Sequence, residues 1–177
     1  MRTLSAPPLQ LEPLSAAHAD EMFVVLSDPA IYEFENEPPA SVEALASRYR
    51  RLEARKSPDG RQIWLNWVIR LASGRLAGYV QATVLQSGRA YVAYELASAH
   101  WRQGIGSSAV SAVLGELEAN YGVTQFVAVL KSRNFRSLAL LRRLGFVPAT
   151  SEQTAQFGTE PDERAMVKPG ANSANAA

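Results

Sequence analysis

The chain has 177 residues, 47% of them apolar and 20% charged, which suits one globular domain with a full-sized core. Its net charge is +1 and it contains no cysteine, which excludes a disulfide scaffold, a thiolate nucleophile and a cysteine-based metal site, and gives no bulk attraction to nucleic acid or membrane. The two histidines, His18 and His100, lie too far apart for a metal-ligand spacing, no apolar run approaches the ~20 residues of a membrane helix, and a leader pattern is not seen at the start, so the expected location is the cytoplasm.

Residues 1–8, ending in Pro7-Pro8, read as a lead-in without regular structure. Leu9 to Leu14 alternates apolar and polar positions and predicts a first strand. Ser15 caps a helix to about Leu26, with Met22, Phe23, Val25 and Leu26 as its apolar stripe and Asp28-Pro29 as its stop. Ile31 to Ala40 is a proline-bearing loop carrying Glu33, Glu35 and Glu37. Ser41 caps a second helix to about Lys56, and Ser57-Pro58-Asp59-Gly60 is a turn. Three strands then follow with short connections: Ile63 to Leu71, Leu76 to Leu85 and Arg89 to Leu96, an antiparallel meander.

Next comes His100-Trp101-Arg102-Gln103-Gly104-Ile105-Gly106-Ser107, directly before a helix from Ile105 to about Ala119. Glycines at such a point let the backbone turn tightly and approach a ligand. The helix start presents unpaired N–H groups and the positive end of its dipole, the physics of a phosphate cradle. Phe126 to Leu130 is a short apolar strand, which a whole helix separates from the meander, so it pairs in parallel. A helix from Asn134 to Leu144 follows, then Gly145-Phe146, a strand from Phe146 to Ala149 and a last strand from Glu163 to Lys168.

The order of strand, Gly-x-Gly turn, helix, strand, Asn134-x-x-Ser137 helix and Gly145-Phe146 exit resembles the acyl-CoA-binding core of the GNAT superfamily of N-acyltransferases. Leu9 to Leu14, Ala17-His18-Ala19-Asp20, Leu26-Ser27-Asp28-Pro29 and Trp101 resemble its ribosomal-protein N-terminal acetyltransferase-like (RimJ/RimL-like) branch. The resemblance covers about residues 9–168. It implies an α/β fold: a mixed, mostly antiparallel sheet of six to seven strands whose central parallel pair splays, flanked by about four helices. Residues 1–168 would form a single acyl-CoA N-acyltransferase domain, with residues 169–177 a disordered tail.

The implied activity is acetyl-CoA-dependent N-acetylation of a primary amine, on a protein N-terminus or a small molecule, by direct attack in a ternary complex. No nucleic-acid or membrane partner is expected, no metal, and a homodimer is left open. By the resemblance Leu96 and Ala97 pair with the pantetheine arm, and Arg102, Gln103, Gly104, Ile105, Gly106 and Ser107 hold the pyrophosphate. Asn134 contacts pantetheine, caps its helix, or does both. Ser137 donates to the thioester sulfur or is merely small. Many family members carry a tyrosine general acid seven residues after the asparagine; here that position is Leu141. Glu95 is the candidate general base, against a plain strand carboxylate. Glu33, Glu35 and Glu37 either draw in a cationic amine or belong to a solvated loop. Trp64, Trp67 and Trp101 read as core, and Arg133, Arg136, Arg142 and Arg143 as a mostly solvated face. Two rivals stand beside this reading: a non-catalytic acyl-CoA-binding regulatory module, and a dinucleotide-binding oxidoreductase, whose full Gly-x-Gly-x-x-Gly the turn lacks.

Overall fold

The alternating segments assemble into one eight-stranded sheet in a computed structural model that describes residues 1–34 and 36–171. The strands are β1 (Leu4–Ala6), β2 (Leu9–Pro13), β3 (Gln62–Arg70), β4 (Leu76–Leu85), β5 (Arg89–Leu96), β6 (Gln125–Lys131), β7 (Val147–Pro148) and β8 (Glu163–Pro169). The helices are α1 (Ala19–Leu26), α2 (Val42–Leu52), α3 (Ile105–Tyr121), α4 (Phe135–Arg143) and α5 (Ser151–Phe157). Spatial order is β1-β2-β3-β4-β5-β6-β8-β7, and only the β5–β6 pairing is parallel.

Consecutive residues of β3 show how the sheet divides the core. Trp67 is fully buried with Phe126, Val113, Leu117, Leu138 and Leu141 on the α3/α4 side, while Val68 packs with Met22, Leu26, Leu45 and Tyr49 on the α1/α2 side. Both faces are therefore covered by helices, and the sheet itself opens between two of its strands.

That opening lies in its middle. β5 and β6 share only three residue pairs, Arg89↔Gln125, Ala90↔Phe126 and Tyr91↔Val127. Beyond them β5 stays paired with β4 as far as Gly78↔Leu96, and β6 with β8 as far as Lys131↔Glu163. Each strand follows its outer neighbour, and the two part. Gly78 permits the close fit on the β5 side. A Cβ there would lie 2.1 Å from the Glu95 carbonyl oxygen and 2.9 Å from Leu96 Cα.

Several elements differ from the sequence expectation. Residues 1–8 are not a bare lead-in: β1 pairs with β2, and Pro7-Pro8 is the turn between them. Long-range contacts hold it, since Trp67 Nε1 donates to the Arg2 carbonyl and the Arg2 guanidinium bonds the buried Glu116 of α3. The first helix starts as a 3-10 turn over Ala16–His18, where the Ser15 N–H donates to His18 Nδ1. Another such turn, Pro29–Tyr32, occupies the acidic loop. The second helix stops at Leu52, short of a left-handed Arg55 at φ 56. A fifth helix, α5, has Thr150 and Gln153 capping its start reciprocally. The last strand runs through Pro169, and the Gly170 N–H donates to the Thr124 carbonyl, so ordered chain extends past the expected boundary; the remainder of the expected tail, 172–177, lies outside the described residues.

Gly78→Ala should destabilise the domain by about 1–3 kcal/mol, the usual range for overpacking. Denaturant unfolding checks this, and an unchanged midpoint would mean that β5 yields to the added methyl at no cost.

Candidate active site

Backbone phase on β5 decides what faces the opening. The Ala97 N–H donates to the Ala77 carbonyl at 2.9 Å, so Glu95 and Ala97 turn their peptide groups toward β4. Tyr94 and Leu96 consequently turn theirs toward the opening. The Leu96 carbonyl is taken by Trp101 Nε1 at 2.8 Å, so its N–H is the donor this residue offers there. Side chains alternate as well. Tyr94 packs toward α3 and α4, and Glu95 projects toward α1 and α2.

After β5 the chain makes a 3-10 turn over Ser98–His100 and enters α3 through two left-handed residues, Arg102 at φ 59 and Gly104 at φ 79. Ser108 N–H is the first to find a helix acceptor, on the Gly104 carbonyl at 3.0 Å. The N–H groups of Ile105, Gly106 and Ser107 have no intrahelical partner and stand at the positive end of the dipole. A Cβ on Gly106 would come 3.0 Å from Leu140 Cδ1, so this glycine also lets α4 approach.

These N–H groups border a cleft of about 430 Å³ whose other wall is α4. Asn134 caps α4, its Oδ1 accepting the Ser137 N–H at 3.1 Å. The Tyr94 hydroxyl comes within 3.5 Å of the Ser137 carbonyl oxygen, a long contact. Burial pushes the Tyr94 phenol up to about 12, so it stays protonated at neutral pH and remains a donor. Across the mouth, the Arg136 guanidinium sits 4.2 Å from the Trp101 ring and 5.4 Å from the Phe34 ring and pairs with Glu33. This clasps the 29–34 loop to α4. Its other end is tied by Asp28, whose carboxylate accepts from the N–H groups of Ser98 at 2.7 Å and Ala30 at 3.0 Å.

A second cavity, of about 440 Å³, opens on the α1/α2 side. Tyr32, Asn36, Glu37, Arg48, Tyr49 and Tyr79 are among its walls, and Glu95 lines both it and the cleft. Asn36 Nδ2 donates to Glu95 Oε1 at 3.1 Å. Burial, reinforced by the Glu95 charge, raises the Tyr32 phenol to about 12 and those of Tyr49 and Tyr79 further, so all three keep their protons. Tyr49 is 3% exposed, and its hydroxyl finds no hydrogen-bond partner among the described residues.

Glu95, Leu96, Arg102, Gly104, Ile105, Gly106, Ser107, Asn134 and Ser137 therefore gather around one cleft. Two residues expected there do not. Ala97 has its N–H on β4, and Gln103 is exposed with its amide folded back on the Ala99 carbonyl. Leu141 is core at 1% exposure. Of the loop acids, Glu33 is held by Arg136, Glu37 reaches the second cavity, and Glu35 lies outside the described residues. Trp67 is core as expected, whereas Trp101 is half-buried in the cleft wall. Arg136 and Arg143 border the cleft, and Arg142 is exposed. Sequence reasoning missed Tyr94. Its signal was the strand alternation that sets it opposite Glu95. Among the described residues no cluster of His, Asp and Glu has metal-site geometry, and no helix is long and apolar enough to cross a membrane.

Residues 9–147 match the family model for the acetyltransferase (GNAT) domain. The chain belongs to the GNAT acetyltransferase family. It is an acetyl-CoA-dependent N-acetyltransferase. No curated protein matches the sequence. Solved structures with the same fold include the ribosomal-protein-S5-alanine acetyltransferase of Vibrio fischeri, at TM-score 0.78 and 16% identity over 96% of this chain and 97% of that one. RimL, the ribosomal L7/L12 alpha-N-protein acetyltransferase, in complex with coenzyme A, superposes at TM-score 0.78 and 18% identity over 94% and 97% of the two chains. RimJ of Mycobacterium smegmatis, in complex with CoA-disulfide, gives 0.76 and 18% over 93% and 83%. The GNAT fold accounts for the parting of β5 and β6 and the turn into α3.

Hydrogen bonds from Ser98 hold the Asp28 carboxyl below its ordinary 3.8. A lowered native value stabilises the fold fully above about pH 4, and that contribution disappears as pH falls through the native value. Asp28→Asn should therefore unfold more easily than the wild type at neutral pH, with the difference shrinking in acid. A gap that does not change with pH in thermal melts would remove the carboxylate from this role.

Proposed function

We propose that this acetyltransferase holds acetyl-CoA in the cleft beside α3 and receives a primary amine from the second cavity, with Glu95 accepting the amine proton. The observation that carries the reading is that Glu95 lines both spaces. Fit to the cofactor rests on the three outward N–H groups at the α3 start and on the left-handed Gly104 that turns the chain into them. Acetyl-CoA supplies the activated thioester. The pyrophosphate lies against Ile105, Gly106 and Ser107, with Arg102 and Arg143 adding charge. Asn134, whose Oδ1 is used in capping, turns its amide nitrogen to the pantetheine arm.

The Leu96 N–H donates to the thioester oxygen as charge grows there. The amine nitrogen forms its bond to the acyl carbon as the C–S bond breaks, and its proton passes to Glu95. Ser137 and Tyr94 present hydroxyls to the departing sulfur, so a proton donor is available although Leu141 replaces the usual tyrosine. The absence of cysteine supports direct attack over an acyl-enzyme. It also suits a cytoplasmic setting. A purely regulatory acyl-CoA module is less favoured, because it has no use for a second cavity that meets the cleft at Glu95.

Release of CoA from acetyl-CoA with a mixed panel of primary amines tests the activity itself. Gly104→Val should weaken acetyl-CoA binding at least tenfold, about 1.4 kcal/mol, since a branched residue opposes φ 79 at the cradle. Calorimetry on the folded variant decides it, and wild-type affinity would remove this turn from the cofactor site. Glu95→Gln should lower kcat by ~10²-fold while leaving acetyl-CoA affinity nearly intact. A normal kcat with an unaltered acid limb would send the proton to water instead.

A further inference from the structure

The second cavity has a charge polarity that the transfer reaction does not require. At one end stand Glu95 and, next to the Asn36 that bonds it, Glu37. Along another wall α2 places Arg48 and Arg51, one turn apart on a single helix face. Neither arginine makes an ion pair among the described residues, whereas Arg2, Arg70 and Arg136 elsewhere in the fold do. The Arg48 and Glu95 charges act with opposite sign on the same three phenols, Tyr32, Tyr49 and Tyr79. Arg48, Glu95 and the three phenols thus line one and the same cavity.

We infer that the acceptor is an anionic primary amine, a molecule whose amine reaches Glu95 while a carboxylate or phosphate on the same skeleton meets Arg48 and Arg51. This rests on the proposed placing of the acceptor in the second cavity. A volume of about 440 Å³ suits a small ligand or the first residues of a peptide, within the usual span of such sites. A dipolar acceptor pairs with both ends of the cavity. A polyamine gains at Glu95 but sets its second ammonium against two guanidinium groups, and like charges in a partly enclosed space reject a partner strongly. The same chemistry comes from two sources, a free amino acid or an acidic protein N-terminus, and the assay separates them.

Two matched sets of amines are compared by kcat/KM at saturating acetyl-CoA. One is γ-aminobutyrate, butylamine and putrescine. The other is a set of C-terminally amidated tripeptides with glutamate, alanine or lysine in the second position. In at least one set the anionic member should exceed its neutral partner by about tenfold and its cationic partner by more. The set that shows the preference identifies the source. Arg48→Ala combined with Arg51→Ala should bring anionic and neutral members to parity through KM, with the KM for acetyl-CoA unchanged. Both residues are exposed, so the fold should survive the change. Arg48→Glu should shift the order toward the cationic members. The inference is overturned if neutral or cationic amines are used as well as anionic ones in both sets, if the preference survives loss of both arginines, or if acetyl-CoA binds but no anionic amine is acetylated. Lack of acetyl-CoA binding, by contrast, would fell the cofactor reading beneath it.

Discussion

Three residue pairs between β5 and β6 are the constraint on which the site depends. Each strand is committed to its outer neighbour over its full length, so neither can follow the other past Tyr91 and Val127. Parting leaves backbone donors and acceptors without a strand partner, which is costly in a protein interior. The molecule turns that cost to use. Trp101 satisfies the Leu96 carbonyl, and the donors left on that edge face a cleft where a ligand can meet them. The helix that would cradle phosphates begins only a few residues after the same strand. Distance between the two is therefore set by one short turn.

A single loop separates the two spaces. Ile31 and Phe34 face the cleft, while Tyr32, Asn36 and Glu37 face the second cavity. Asp28 anchors its start on Ser98, and the Glu33–Arg136 pair with the Phe34 contacts anchors it on α4. The partition is thus tied to the turn that leads into α3 and to the helix carrying Asn134 and Ser137. Movement at the second cavity is thereby mechanically linked to the cleft.

Local signals made much of this legible. Alternation gave β2, strand-forming runs with short connections gave β3, β4 and β5, all to within a residue, and the resemblance carried by the glycines and the Asn134-x-x-Ser137 spacing pointed to residues that line the cleft. What stayed hidden depends on contacts far apart in the chain. Pro7-Pro8 looked like a breaker because its partner strand and the Arg2–Glu116 tie come from elsewhere. Ala97 was misplaced because backbone phase follows from the ladder with β4, which no residue type announces. Trp101 was read as a core aromatic and Tyr94 was passed over, whereas each packs its ring and spends its polar atom at the cleft edge. Glu33 was read with the other loop acids, and only the packing of the loop on α4 assigns it to Arg136.

Most side chains that shape the second cavity apart from the sheet come from one continuous stretch, Tyr32 to Leu52, closing over a floor of Asn66, Tyr79, Gln81 and Glu95. The wall of the cleft, in contrast, is drawn chiefly from residues 94–107 and 134–143. On the proposed reading, recognition of the acceptor is encoded as a nearly separable cassette laid over a fixed floor. A lineage can rewrite the cassette, in charge or in length, without disturbing the strand that presents Glu95. One scaffold of this kind can diversify its clientele by changing a short piece of chain while its chemistry stays constant.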